Sequence, residues 1–320
     1  MKIKLFTHTD LDGIGCAVLA YLAFGKENVD VEYCDYKNVD EKVREFYLHN
    51  DTAYDAIYIT DISLKEETAG DIDRWIDIDK VELIDHHATA LWMNKYDWCD
   101  VKVELYGIKT SGTQQFYDRL MCCEYLDCND SNLKHIRRFV EIVRDYDTWR
   151  WKEELGEAGL VCKQLNDLFH IYGRYAFIDW VINKIKLPIH LFDFPAFDGA
   201  DKLLLEQKQK DIDTYIDIKN KQLNICIDKF GHLYGVVFAE RYFSELGNRL
   251  SELYPDLEYI AMIDICSGTV SYRTVHEGID LGGEIAHSFG GGGHKKAAGS
   301  TFDKNDVQIA VMEKIFATVE

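Results

Sequence analysis

The sequence predicts an α/β protein. An N-terminal domain is built on a parallel sheet with helices on both faces, and a smaller C-terminal α+β domain carries a mixed sheet. Three observations predict it. Strand and helix patterns alternate at the spacing of βαβ units over the first 85 residues. A long charged helical stretch follows Pro188 and Pro195. Beyond it, a hairpin pattern across Cys266-Ser267-Gly268 and a four-glycine run replace that alternation.

Residues 3–7 (IKLFT) read as a strand, and residues 14–24, apolar and rich in Ala and Leu, as a buried helix. A second strand at 31–34 leads to an amphipathic helix at 39–48. A third strand at 56–60 ends at Asp61, and a helix follows at 64–76. A fourth strand at 81–84 ends at Asp85. Helical patterns then cover 111–121, 131–144, 159–169 and 175–185. The prolines bracket Leu191-Phe192-Asp193-Phe194, which reads as a boundary. The expected domains are therefore 1–195 and 226–320, joined by a linker helix over 196–225 with its charged pattern strongest from Lys202. In the second domain a strand is expected at 233–239, a helix at 244–254, the hairpin at 259–265 and 270–274, and helices at 279–288 and 307–316.

The 320 residues are 47% apolar, enough for a sizeable core. Asp and Glu number 56 against 36 Lys and Arg, a net charge of −20. So acidic a surface repels long duplex nucleic acid and anionic membranes. It does not repel a small anion held by bound cations, which reverse the local field. The opening residues lack the apolar run of a signal peptide, and no stretch reaches the length of a membrane span. The nine cysteines contain no C-x-x-C pair and suit reduced thiols in a cytoplasmic protein, with Cys122, Cys123 and Cys128 packing as small apolar groups.

Three clusters end three strands: His8-Thr9-Asp10-Leu11-Asp12, then Asp61, then Asp85-His86-His87. In open α/β sheets ligands bind outside the carboxyl ends of the strands, so the clusters share one edge. Carboxylates and imidazoles without thiolates suit Mn²⁺, Co²⁺ or Mg²⁺. Two such ions about 3.5–4 Å apart could share a carboxylate, activate a water and steady a leaving phosphoester oxygen. The plainer alternative for Asp10 or Asp61 alone is a helix cap.

These residues resemble the DHH phosphoesterase superfamily. HTDLDG at 8–13, Asp61 and the DHH triplet at 85–87 are similar to its first three motifs, and GGGGHKKAAGS at 290–300, preceded by VSYRT at 270–274, resembles the accompanying DHHA1 domain. With RDYDTW at 144–149 and the chain length, the sequence is most similar to the nanoRNase B type of oligoribonuclease. The resemblance implies metal ligands at His8, Asp10, Asp12, Asp61 and His86, with Asp61 bridging. It implies a supporting or ligating Asp85, and His87 near the scissile phosphate. A fourth motif would supply Asp147 or Asp145. His8 departs from the aspartate of some members, which bears on metal preference. The implied reaction is hydrolysis of short oligoribonucleotides to nucleoside monophosphates using two divalent ions, Mn²⁺ first, in the cleft between the domains of a monomer or homodimer. Phosphoadenosine-phosphate phosphatase, cyclic or linear dinucleotide phosphodiesterase and a non-hydrolysing nucleotide sensor are the alternatives.

Four glycines permit close backbone approach, and their amides suit an anion nest at the start of a short helix. Gly291, Gly292, Gly293, His294 and Lys295, with Arg273 and Ser271, would then grip phosphates away from the cut. Other features have structural readings: scattered His49, His135, His170, His190, His232, His276 and His287 as surface or satisfied core groups, Trp149-Arg150-Trp151 as packing or a stacking platform, and Ser111-Gly112-Thr113 as a helix cap or hydroxyls at the cleft mouth. Residues 1–195 carry 36 acidic and 23 basic side chains and residues 196–320 carry 20 and 13, so neither part is a basic clamp. Few phosphates can be held, which favours short substrates.

Overall fold

The computed structural model describes residues 1–50, 53–75, 78–127, 131–188 and 193–316. Cys128, His190 and the Leu191-Phe192 pair lie outside the described residues, as does the side chain of His49. The chain forms two compact units, Met1–Leu205 and Glu206–Glu320.

The first unit holds a five-stranded parallel sheet made of β1 (Ile3–His8), β2 (Val29–Cys34), β3 (Ala56–Thr60), β4 (Val81–Asp85) and β5 (Cys99–Val101), in the order β2-β1-β3-β4-β5. Winding reverses between β1 and β3, with β2 added on one side of β1 and the later strands on the other; this is the switch point of a doubly wound sheet, where strand ends open a crevice. Successive side chains alternate faces. Ile3, Leu5, Tyr58 and Ile84 pack with α1 (Leu11–Phe24), and with helices that follow later in the chain. Phe6, Ile57, Ile59 and Leu83 pack on the opposite face with α2 (Val39–Asn50) and α3 (Glu66–Ile72). Both faces are covered, as a parallel sheet requires.

The very short β5, β6 (Glu104–Leu105) and β7 (Ile108–Lys109) carry no readable period, and the sequence pattern does not announce them. Next come α4 (Gly112–Cys122), α5 (Leu133–Asp147), the single turn α6 (Arg150–Glu153), α7 (Leu160–Tyr172) and α8 (Arg174–Ile185). The helix expected to reach residue 225 is instead α9 (Gly199–Asn220). Asn224–Ile227 is an edge strand, β8. The division between the units falls within α9.

The second unit is a six-stranded mixed sheet, ordered β12-β13-β11-β10-β9-β8. Its members are β8, β9 (Leu233–Phe238), β10 (Tyr259–Asp264), β11 (Thr269–Arg273), β12 (Gly292–His294) and β13 (Ala297–Thr301). Only β9 and β10 run parallel. One face packs on α9 and α10 (Phe243–Leu253) through Ile212, Ile216, Leu246, Leu250, Ile260 and Met262. The other packs on a π-helical turn, Leu281–Ala286, through Leu281 and Ile285. The chain closes with α11 (Lys304–Phe316).

The glycine run corrects one expectation. It does not begin a helix; it follows the 3-10 turn His287–Phe289 and enters β12. Gly291 is dictated by packing, since a Cβ there would stand 2.1 Å from the Gly299 carbonyl oxygen.

Candidate metal centre

Strand ends and helix starts deliver the polar groups of the first unit to one place. β1 ends at His8, whose Nδ1 lies 2.9 Å from Asp10 and 3.9 Å from Asp61. Asp10 also caps α1, accepting the Gly13 amide at 3.1 Å, so the cap reading is correct for it without removing it from the cluster. Asp12 sits buried in the first turn of α1. Its two carboxylate oxygens accept the Gly112 amide at 2.6 Å and the Thr113 amide at 2.9 Å, both from the start of α4. A helix N-terminus favours a negative charge, and the two amides of α4 fix the Asp12 side chain in place.

Asp61 leaves β3 in the left-handed region at φ 58°, which Asp tolerates better than most residues. It is buried, with Oδ1 3.2 Å from His86 Nε2 and Oδ2 facing His8. Gly112 is required by this approach, because a Cβ there would lie 2.6 Å from the Asp61 Cβ. His86 Nε2 also lies 3.6 Å from Asp12 and 3.5 Å from Asp147 at the end of α5. Among the described residues three overlapping donor groups result: His8, Asp10 and Asp61; Asp12, His86 and Asp147; and Asp61, Asp85, His86 and His87.

Asp85 is fully buried at the end of β4. Its Oδ1 accepts from His87 Nδ1 at 2.8 Å and from the His86 amide at 2.8 Å. Gln115 braces this strand end by donating to the Asp85 carbonyl at 3.0 Å. Asp145 is brought elsewhere. Its Oδ1 accepts from Arg144 Nη2 at 2.8 Å and from Arg150 Nη1 at 3.3 Å. Residues two apart on a helix point about 200° away from each other, so Asp145 and Asp147 cannot share a site. Trp151 stacks on Tyr146 and Trp149, which favours the packing reading of that run.

Four buried atoms here make no hydrogen bond: His8 Nδ1, Asp61 Oδ2, Asp85 Oδ2 and His86 Nε2. Burial, then the charges of Asp12, Asp10 and Asp147, pushes the Asp61 carboxyl well above the ordinary range. Asp147 is raised by burial and by Asp12 and Asp10. Burial pushes the His86 imidazole down. Such crowding is costly for a bare protein and is relieved by a cation. The donor set, imidazole nitrogens and carboxylate oxygens with orphaned atoms turned inward, fits a divalent metal ion.

In the second unit, Ser271 and Arg273 flank the buried Tyr272 on β11. Register places Arg273 opposite Ala297, and Ala297 opposite His294. It places Ser271 opposite Gly299, and Gly299 opposite Gly292. Directly opposed residues share a sheet face, so Ser271, Arg273 and His294 stand on one face with a floor of Gly and Ala between them. Arg273 Nη2 donates to Ser244 Oγ at 3.1 Å. Gly292, Gly293, His294 and Lys295 are exposed, and Gly291 is half-buried.

Sequence reasoning misses the cradle formed by Gly112 and Thr113 under Asp12. Ser111 does cap α4, accepting the Gln114 amide at 3.2 Å. That cap is the available signal, since the free amides of a helix start near a carboxylate are ready partners for it.

The chain is 35% identical over 313 residues to oligoribonuclease NrnB of Bacillus subtilis (strain 168), covering 97% of this chain and 75% of the relative. The chain belongs to the NrnB oligoribonuclease family. As a member it is a hydrolase of phosphoester bonds. No family model matches the chain. Among solved structures, the DHH domain of a protein described as a member of a ribosomal-protein family aligns with a TM-score of 0.60 at 13% identity, over 98% of this chain and 86% of that one. Exonuclease RecJ bound to manganese aligns with a TM-score of 0.56 at 14% identity, over 100% and 91%. At these identities the likeness is one of fold, and the fold is that of DHH proteins, in agreement with the motif resemblance. No described helix is long and apolar enough to cross a membrane.

Proposed function

We propose that this NrnB-family chain hydrolyses short oligoribonucleotides to nucleoside monophosphates with two divalent metal ions. The observation that carries the reading is the position of Asp61, whose two oxygens face different histidines in two different donor groups. A carboxylate so placed could serve two ions at once. His8, Asp10 and Asp61 would hold one ion, and Asp12, Asp61, His86 and Asp147 the other. Asp147 takes the fourth-motif role because Asp145 is already engaged by two arginines. Mn²⁺ suits these donors first, with Co²⁺ or Mg²⁺ as alternatives. When bound, the ions neutralise phosphate charge and acidify an attacking water.

The chain's own groups do the rest. Asp85 orients His87 through its Nδ1, and His87 is placed beside the scissile phosphate. Arg273, His294 and Ser271, with Lys295 and the amides of Gly291, Gly292 and Gly293, hold a phosphate away from the cut. The name of the NrnB relative supports an RNA substrate. The charge of −20 supports a short one, and a cytoplasmic setting supplies such RNA.

The test compares initial rates with Mn²⁺ on labelled dinucleotide, pentanucleotide and 24-mer RNA, with cyclic di-AMP and phosphoadenosine phosphate alongside. The di- or pentanucleotide should be cut fastest. A fastest 24-mer would remove the short-substrate claim, and preference for cyclic di-AMP or phosphoadenosine phosphate would replace it.

A further inference from the structure

Tyr36 lies at the donor cluster, on the loop that leaves β2. The loop is locked by its own side chains. Asp35 Oδ1 accepts the amides of Lys37 at 2.8 Å and Asn38 at 3.1 Å, and Asn38 Oδ1 accepts the Asp35 amide at 2.9 Å. The Tyr36 ring is therefore presented from a fixed backbone although the residue is 52% exposed. Its hydroxyl lies 3.3 Å from His87 Nε2. Its ring stands perpendicular to His87 at 6.2 Å and beside His8 at 5.2 Å, between centroids.

We propose that Tyr36 is a positioning residue that completes an Asp85–His87–Tyr36 chain and fixes the imidazole for the hydrolytic step. The proposal rests on the functional reading that places His87 at the scissile phosphate. Asp85 accepts at Nδ1, which places a ring proton there and, in the neutral imidazole, leaves the Nε2 lone pair outward. The tyrosine O–H donates to that lone pair. One ring nitrogen is thereby tied to the end of β4 and the other to the loop after β2. An imidazole held at both ends loses its freedom to swing about χ2, so the chemical step starts from one orientation. A phosphate oxygen arriving at the cluster therefore meets an imidazole whose orientation is already set.

The test is a double-mutant cycle on the full chain, with kcat and KM measured on a pentanucleotide at saturating Mn²⁺. Tyr36→Phe should lower kcat about fivefold, the worth of one neutral hydrogen bond, and leave KM within about twofold. In a His87→Ala background the same change should alter kcat by less than about twofold, because its target is gone. Mn²⁺ affinity of Tyr36→Phe, read by calorimetry without substrate, should match the unaltered protein. An unchanged kcat in Tyr36→Phe beside a crippled His87→Ala overturns this inference alone. So does a fivefold loss that persists without His87, or weakened Mn²⁺ binding, which would route the effect through His8. An undiminished His87→Ala rate overturns the placing of His87 and this inference with it.

Discussion

Asp61 is buried and His294 is exposed. Asp61 is buried among like charges, with one oxygen orphaned and its carboxyl raised. His294 stands exposed on an edge strand, on a face floored by glycine and alanine. The difference is one of what each unit leaves unfinished. Buried carboxylates without a partner destabilise the bare protein, and in the proposed reading cations complete the first unit. Exposed basic groups lose little by waiting for an anion. Changes to the buried donor cluster of the first unit should therefore alter metal binding, kcat and metal-free stability together, and changes to the exposed face of the second should alter substrate affinity alone.

The largest expected break in that contrast is at the end of α5. Asp147→Asn should lower kcat on the order of a hundredfold and weaken Mn²⁺ binding, measured by steady-state kinetics and calorimetry. Asp145→Asn should instead lower the melting temperature, because Arg144 and Arg150 lose their shared acceptor, while kcat at saturating Mn²⁺ stays within about fivefold. The reverse pattern would reassign the fourth motif. Next in size is Gly112→Ala, whose methyl group must displace Asp61; a kcat loss of about tenfold is expected from a shift of the carboxylate. Gly278→Ala, with nothing within 4 Å of the added carbon, is the control and should be silent.

His294→Ala sharpens the other side. KM should rise about tenfold with kcat within about twofold, the signature of binding lost equally from ground and transition state. The smallest effect is on the metal-free protein. Asp61→Asn removes a buried ionisable group that favours its protonated form, and should raise the metal-free melting temperature by about 2–4 °C at pH 8. The sign follows from the raised carboxyl: its contribution to stability is intact below the unfolded value and is lost as pH rises through the folded one. The gain should therefore shrink toward acid pH, and a gain that grows there would contradict the burial argument.

How much of this is legible in the sequence follows from range. The ends of β1, β3 and β4 carry their acids and histidines in short strings, and apolar alternation places the strands around them. The choice between Asp145 and Asp147 is not legible, because both sit on one helical pattern and only its phase separates them. The Gly112–Asp12 contact spans a hundred positions, and no local pattern announces it. The glycine run suggests a helix start because amides and φ freedom suit either a nest or a tight strand pair; the β13 backbone packed against Gly291 decides for the strand. Tyr36 gives no signal, since an exposed tyrosine in a turn is ordinary until His87 is found beside its hydroxyl.

The central claim is that Asp61 joins two ions into one hydrolytic centre. Its most direct test is a Mn²⁺ titration of metal-free protein, following ions bound per chain by equilibrium dialysis and pentanucleotide hydrolysis on the same samples. Two ions should bind, activity should appear as the pair fills, and Asp61→Ala should lose both tight binding and turnover. Hydrolysis in the metal-free protein, or an Asp61→Ala variant that still binds two ions and turns over at the unaltered rate, would contradict it.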